Sequence, residues 1–342
     1  MQTTKELPTY SYIYVLKIIA CFLVIVNHTN SDIFLSISPS LTWFMSVTYF
    51  FVSKIAVPLF LMCSGVTLLE KTDSLQKYFL RISRIILVII MFSSIYYIKS
   101  VGLLNFSLIG FINSIYSKNI TGAFWYLYLY LGILIALPFL QKLCKVMSKT
   151  DFLHYIFISI IFLGTMPILT HYFPIFEYSS DLDFSLFTTS TGLFISGYFI
   201  NKYFVYNKNY VTLSLLTFFL CTFLSTLGTY FVYIESSRRY LFFDNISFIT
   251  ITAPSIAIFY LAKCYFNFDN KIISFISKCT FGIYLISDYF IPAITSRLYK
   301  LNFITAMHPI CSVIILEILV FLAGLIFTAI LIKIPFFKKL IG

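Results

Sequence analysis

Tyr12–Asn30 reads YIYVLKIIACFLVIVNHTN, nineteen residues with two ionisable side chains, Lys17 and His28, inside an otherwise lipid-compatible run. As a helix such a run covers about the 30 Å hydrocarbon core of a bilayer, which predicts a membrane span. Lys17 and His28 are eleven positions apart. At about 100° per residue this returns the helix to within roughly 20° of the same face, about 16 Å further along its axis. An ionisable residue at membrane depth costs at least about 2.5 kcal/mol on insertion scales, so it normally faces a polar cavity and marks a working site. The helix is therefore expected to form one wall of a cavity that reaches in from both sides of a bilayer.

The rest of the chain has the same character. Of 342 residues, 60% are hydrophobic, 20% aromatic and only 11% charged, with a mean hydropathy of +0.93. Ordinary globular domains are roughly a quarter charged, so the class is a polytopic membrane protein. The net charge of +11 does not point to nucleic acid, because the basic residues are scattered in short loops and form no stripe that a phosphate backbone would follow. Seven cysteines, most of them inside apolar runs and without a C-x-x-C pair, indicate neither a disulfide framework nor a zinc site. Lys5 ahead of the first run superficially resembles a signal peptide, but the run continues into Asn-His-Thr-Asn with no small-residue cleavage site, and is expected to stay as a span.

Ten apolar segments are long enough to cross the membrane: 12–30, 45–69, 85–104, 124–142, 152–171, 184–203, 211–233, 246–265, 273–296 and 308–334. The ninth is interrupted by Lys278, Asp288 and Pro292. Nothing between them is long enough for a separate soluble domain, and no internal repeat or low-complexity linker is found. The expectation is one all-α transmembrane bundle of about ten spans over residues 1–342. With the N-terminus inside, sixteen of the 24 Lys and Arg fall on the inner side, six on the outer side, and Lys17 and Lys54 within spans. That asymmetry places both termini in the cytoplasm, Lys17 toward the cytoplasmic half and His28 near the outer mouth.

Lys17 and His28 reproduce the spacing of an R-x10-H signature with Lys in place of Arg, and Lys54–Leu68, KIAVPLFLMCSGVTL, is similar to a P-L-F-F-x-x-S-G signature. Arg81 and Arg84 form an R-x-x-R element, followed by Phe124–Leu140, FWYLYLYLGILIALPFL, and late in the chain by Thr280–Ile286, TFGIYLI. Together these resemble the acyltransferase-3 family of bacterial membrane O-acyltransferases, in order and over the whole chain. Ala123 stands where the family often has a His two positions before Trp125, and Ser287–Asp288 stand where its Y-L-I-H pattern ends in His. The resemblance implies transfer of an acyl group, commonly acetyl, from cytoplasmic acyl-CoA to a hydroxyl of a cell-surface or capsular glycan, at a bacterial cytoplasmic membrane and with no metal. Its partners would be acyl-CoA, a glycan acceptor and the bilayer, in a chain that is either single or a homo-oligomer.

The chemistry assigns the residues. A sugar hydroxyl is a poor nucleophile at neutral pH and needs a base beside it. His28 is the only histidine inside a helix that also carries a buried cation, whereas His154, His171 and His308 fall at span ends, His171 being the reserve. Asp32, or Asn27 or Asn30, would fix the tautomer of His28, the orienting role in a catalytic triad. Lys17, Lys54, Arg81 and Arg84 are the candidates for the phosphates and thioester of acyl-CoA, with the two arginines sharing a helix face. Trp125, Tyr126 and Asp288 are the candidates for the acceptor, and Glu177, Asp181 and Asp183 form an acidic outer loop that either contacts acceptor hydroxyls or is simply the other half of the charge asymmetry. The competing reading is a glycan exporter or flippase with no acyl-transfer chemistry. It loses ground because no inverted repeat is detectable.

Overall fold

The computed structural model describes residues 10–71, 73–117, 120–173, 175, 184–236, 241–302 and 307–342, and the side chains of Ser31, Asp32 and Ser236 lie outside the description, as do Glu177, Asp181 and Asp183 altogether. Among the described residues the architecture is all-α. The helices are α1 Ser11–Thr29, α2 Ser31–Ser36, α3 Leu41–Ser53, α4 Ala56–Leu69, α5 Leu75–Val101, α6 Leu108–Ser117, α7 Trp125–Val146, α8 Lys149–Ile156 and α9 Leu163–Tyr172. A π-helical stretch, Phe157–Phe162, joins α8 to α9. They continue with α10 Thr189–Tyr203, α11 Lys208–Ser236, α12 Ile249–Tyr265, α13 Lys271–Lys300, α14 Pro309–Leu331 and α15 Pro335–Ile341.

Helix occupies the bulk of every expected span. Seven helical stretches among the described residues are long and apolar enough to cross a membrane: Ser11–Ser36, Leu41–Leu69, Leu75–Val101, Gly122–Val146, Lys149–Tyr172, Lys208–Glu235 and Pro309–Leu331. The other three segments are α10 with 15 residues, α12 with 17, and α13, which has 30 residues but carries Lys278 and Asp288 in its middle. The protein is thus a polytopic helical bundle.

α1 sits inside this bundle, packed against α4 and α13 and flanked by α3, α12 and α14. Its buried positions, from Tyr12 and Leu16 through Ala20, Cys21 and Leu23–Val26, cover most of its circumference, as expected of a helix that is apolar all round. α4 and α10 approach closely through glycine. A Cβ at Gly65 would meet the backbone of Phe194, and one at Gly197 the backbone of Met62. Small residues are what lets membrane helices pack backbone to backbone.

Local chemistry sets the helix ends. Ser40 caps α3, Ser74 caps α5, and Ser148 with Asp151 forms a reciprocal capping box on α8. His308 caps α14, its Nδ1 accepting the Ile310 N–H at 3.3 Å ahead of Pro309 at the first helical position. The break between α3 and α4 falls at Lys54–Ile55 for a similar reason. Pro58 has no N–H to offer the carbonyl four residues earlier, which is that of Lys54, and its ring crowds that carbonyl.

Candidate active site

His28 lies in the last turn of α1 on the wall of a cavity of about 310 Å³. Val24 and Asn27 of α1 share that wall, the α3–α4 break contributes Ser53, Lys54, Ala56 and Val57, and α7 contributes Trp125 and Tyr126 at its start. Tyr284 of α13 and the Asp244–Ile246 segment ahead of α12 close the remaining sides. Half-exposed Trp125 and buried Tyr126 present aromatic surface, with the Tyr126 ring edge-on to Tyr284 at 5.9 Å.

Behind the imidazole stands Asp288. Its Oδ1 is 3.9 Å from His28 Nδ1, and its Oδ2 accepts the Ala123 N–H at 3.3 Å. The Tyr284 hydroxyl donates to the Ala123 carbonyl at 2.5 Å, so the turn Gly122–Phe124 is clamped to α13 on both its polar groups. Gly122 lies against the imidazole, with space for a Cβ only 3.8 Å from His28 Cε1. The backbone of this turn thus fixes the carboxylate, and the carboxylate faces the imidazole.

The sequence assigns orientation of His28 to Asp32, Asn27 or Asn30; of these, Asn27 lines the cavity beside His28, its buried Oδ1 without a hydrogen-bond partner among the described residues. The Asn30 amide is committed to α3: Nδ2 donates to the Ser46 carbonyl at 2.6 Å and Oδ1 accepts from the Ser46 hydroxyl at 3.2 Å. The Asp32 side chain lies outside the described residues. Asp288, read from sequence as an acceptor contact, is the carboxylate that reaches the imidazole.

Lys54 also stands apart from its expected company. Its ammonium is ion-paired with Asp244 and lies 4.3 Å from the centre of the Phe50 ring, inside the His28 cavity and not with the arginines. Lys17, Arg81 and Arg84 lie toward the opposite end of the bundle. Lys17 is in electrostatic reach of Cys63, Arg84 and Lys71 and has no carboxylate partner among the described residues. Arg81 is ion-paired with Asp73. Arg84 donates from Nε to the Leu340 carbonyl at 2.7 Å and from Nη2 to a Gly342 oxygen at 3.3 Å, so it ties the C-terminal helix α15 to α5.

The cavity that holds His28 does not count Lys17 among its walls. α7 links the two regions. Tyr126 lines the cavity, and one turn on, Tyr130 stacks against it at 5.9 Å while interacting with Ser64, Arg81 and Arg84. The stacked pair and Ser64 thus connect the wall of the His28 cavity to the surroundings of Arg81 and Arg84.

Two further residues carry the site without having been singled out. Asp244 sits in an ordinary loop stretch, and nothing in its local sequence announces its partner. Glu317 did leave a signal, as the one carboxylate in the run Pro309–Leu331. It is fully buried, accepting the Thr29 hydroxyl at 2.9 Å and the Tyr49 hydroxyl at 2.6 Å, and so ties α14 to the residue after His28 and to α3. Of the other histidines, the reserve His171 stacks on Phe242 at 3.9 Å and His308 serves as the α14 cap.

An imidazole backed by a carboxylate in a polar cavity of a membrane bundle can take a proton from a hydroxyl and return it to a leaving group. No curated protein and no solved structure matches the chain. A family model described as "Acyltransferase domain" (Acyl_transf_3) does, over residues 10–333, a match that takes in α1–α14 and every residue of the cavity. With a helical bundle, a membrane-spanning character and this match in agreement, the chain belongs to the acyltransferase-3 family and is a membrane acyltransferase.

Proposed function

We propose that the protein is an O-acyltransferase of a bacterial cytoplasmic membrane that moves an acyl group, acetyl in the simplest case, from cytoplasmic acyl-CoA to a hydroxyl of a cell-surface polysaccharide. The observation that carries this reading is the His28 imidazole, set in the cavity with the Asp288 carboxylate 3.9 Å from its Nδ1. In this reading Nδ1–H points to Asp288, which leaves Nε2 free to accept the acceptor's hydroxyl proton. The oxygen attacks the thioester carbonyl, the acyl–oxygen bond forms, the acyl–sulfur bond breaks, and His28 returns the proton to the departing thiolate. The 3.9 Å separation shortens to hydrogen-bond length when the acceptor fills the cavity, as catalytic contacts commonly do.

The Lys17 end faces the cytoplasm and the His28 end the outside, in keeping with the distribution of Lys and Arg. Lys17, Lys71 and the guanidinium donors of Arg81 and Arg84 not used on Asp73 and the C-terminus receive the CoA phosphates. The acyl–pantetheine arm then passes Ser64 and the Tyr126–Tyr130 pair.

The test is His28→Ala in the intact protein, with surface glycan isolated before and after alkaline de-esterification and analysed by mass. The expected result is glycan of normal amount without ester groups, at unchanged membrane abundance of the variant. Full acylation by the variant removes the mechanism, and disappearance of the glycan itself supports an exporter instead.

A further inference from the structure

The cavity holds a second pair of charges that the proton-transfer chemistry leaves unused. Lys54 enters from the α3–α4 break and Asp244 from the loop ahead of α12, and they meet in an ion pair on the cavity wall, 15% and 35% exposed. Removing two charges from water is costly, and a pair of apolar residues would close the wall at no such expense. What the pair provides is a dense set of directed hydrogen-bonding groups with no net charge. One Asp244 oxygen engages Lys54, which leaves the other as an acceptor. The Lys54 ammonium has three N–H donors, of which Asp244 takes one and the Phe50 face another. A donor and an acceptor side by side match the neighbouring hydroxyls of a sugar ring, and Trp125, Tyr126 and Tyr284 offer aromatic surface to the ring's C–H face.

The charge balance goes further than the hydrogen bonding. Lys54 and Asp244 cancel, and the carboxylate of Asp288 stands behind His28, so the cavity gains no net positive charge from either pair. Among the described residues an anionic acceptor meets no free cation there, because Lys54 is already neutralised. Lys17, Arg81 and Arg84 lie outside the walls. We propose that the Lys54–Asp244 pair is the acceptor subsite and that it selects an uncharged glycosyl residue over a uronic acid or other anionic sugar. This rests on the acyl-transfer reading above and adds to it the charge class of the acceptor.

The pair also predicts how that selectivity can be reversed. Asp244→Asn keeps the shape of the side chain and releases the Lys54 charge into the cavity. An uncompensated unit charge at cavity distances is worth about a factor of ten or more at the effective dielectric of a protein site.

The experiment measures transfer from acetyl-CoA by the full-length protein in membranes to a panel of matched methyl pyranosides, each neutral sugar paired with its uronic acid. The wild type is expected to favour the neutral member of each pair, and Asp244→Asn to raise kcat/KM for the uronic acid about tenfold relative to the neutral sugar. The double variant Lys54→Met with Asp244→Asn, which has neither charge, is expected to lose that gain. If Asp244→Asn does not accumulate in the membrane, Lys54→Met alone carries the test: it leaves Asp244 uncompensated and should favour a pyranoside bearing a quaternary ammonium group. A wild type that prefers uronic acids, or single variants that leave the ratios unchanged, overturns the subsite while leaving acyl transfer intact. Transfer to no acceptor, or undiminished transfer by His28→Ala, overturns the acyl-transfer reading and the subsite with it.

Discussion

The substitution Asp288→Asn separates the electrostatic role of this carboxylate from its structural one. The amide oxygen of the new side chain can still accept the Ala123 N–H, so the clamp on the Gly122–Phe124 turn is retained. What disappears is the negative charge 3.9 Å from His28 Nδ1, and with it the stabilisation of the imidazolium that forms when the acceptor hydroxyl gives up its proton. Two unit charges at that distance attract by about 4 kcal/mol at an effective dielectric of about 20. Solvent reaches both groups, 24% and 15% exposed. That access screens the interaction to about 3 kcal/mol. At about 1.4 kcal/mol per factor of ten, kcat for acyl transfer should fall about a hundredfold. KM for acyl-CoA should not move, because the cations assigned to the donor lie outside this cavity. The assay is transfer from radiolabelled acetyl-CoA in membranes with matched protein abundance. An Asp288→Asn enzyme that keeps more than half the wild-type kcat would rule out the pairing of His28 with Asp288.

Glu317→Ala removes the acceptor of both the Thr29 and Tyr49 hydroxyls. Thr29 also donates to the Ile25 carbonyl at 3.0 Å, so Tyr49 is the group left stranded. The cost should be about 2 to 4 kcal/mol. It is read as a lower thermal midpoint in detergent, with Glu317→Gln falling between the two, and an unchanged midpoint would show that the network holds nothing together. At the α4–α5 turn, burial works against the Asp73 carboxylate, but hydrogen bonds from Arg81 and Gln141 outweigh it and hold the group below the usual carboxylate range. A carboxylate depressed in the folded state contributes stability that is complete above about pH 4 and is lost as the pH falls through the depressed value. Asp73→Asn should therefore lower the midpoint at neutral pH and flatten its decline in acid, and parallel acid limbs for the two proteins would contradict this.

The class of the protein and the position of its first working helix were legible in the amino-acid sequence, because both depend on neighbours along the chain. About twenty apolar residues in a row have to be a helix in a bilayer, since only internal hydrogen bonding satisfies the backbone there. Lys17 and His28 stand on one stripe because helical periodicity puts them there. Glu317 obeyed the same rule as Lys17 and was open to the same inference. The partners of these groups were not open to it. Asp288 is 260 positions from His28 and Asp244 is 190 from Lys54, and which carboxylate meets which base depends on how each helix is rotated and tilted. Those rotations are set by packing, where Gly65 and Gly197 let α4 and α10 touch, where α1 is enclosed on most of its circumference, and where Pro58 breaks the helix beside Lys54. Periodicity reports on one helix at a time, and so it was enough to establish a helical membrane bundle with an imidazole and a cation on its first span. It took the packing of the whole bundle to set Asp288 behind the imidazole, to neutralise Lys54 with Asp244, and to stack Tyr126 of the cavity wall on Tyr130 beside the arginines.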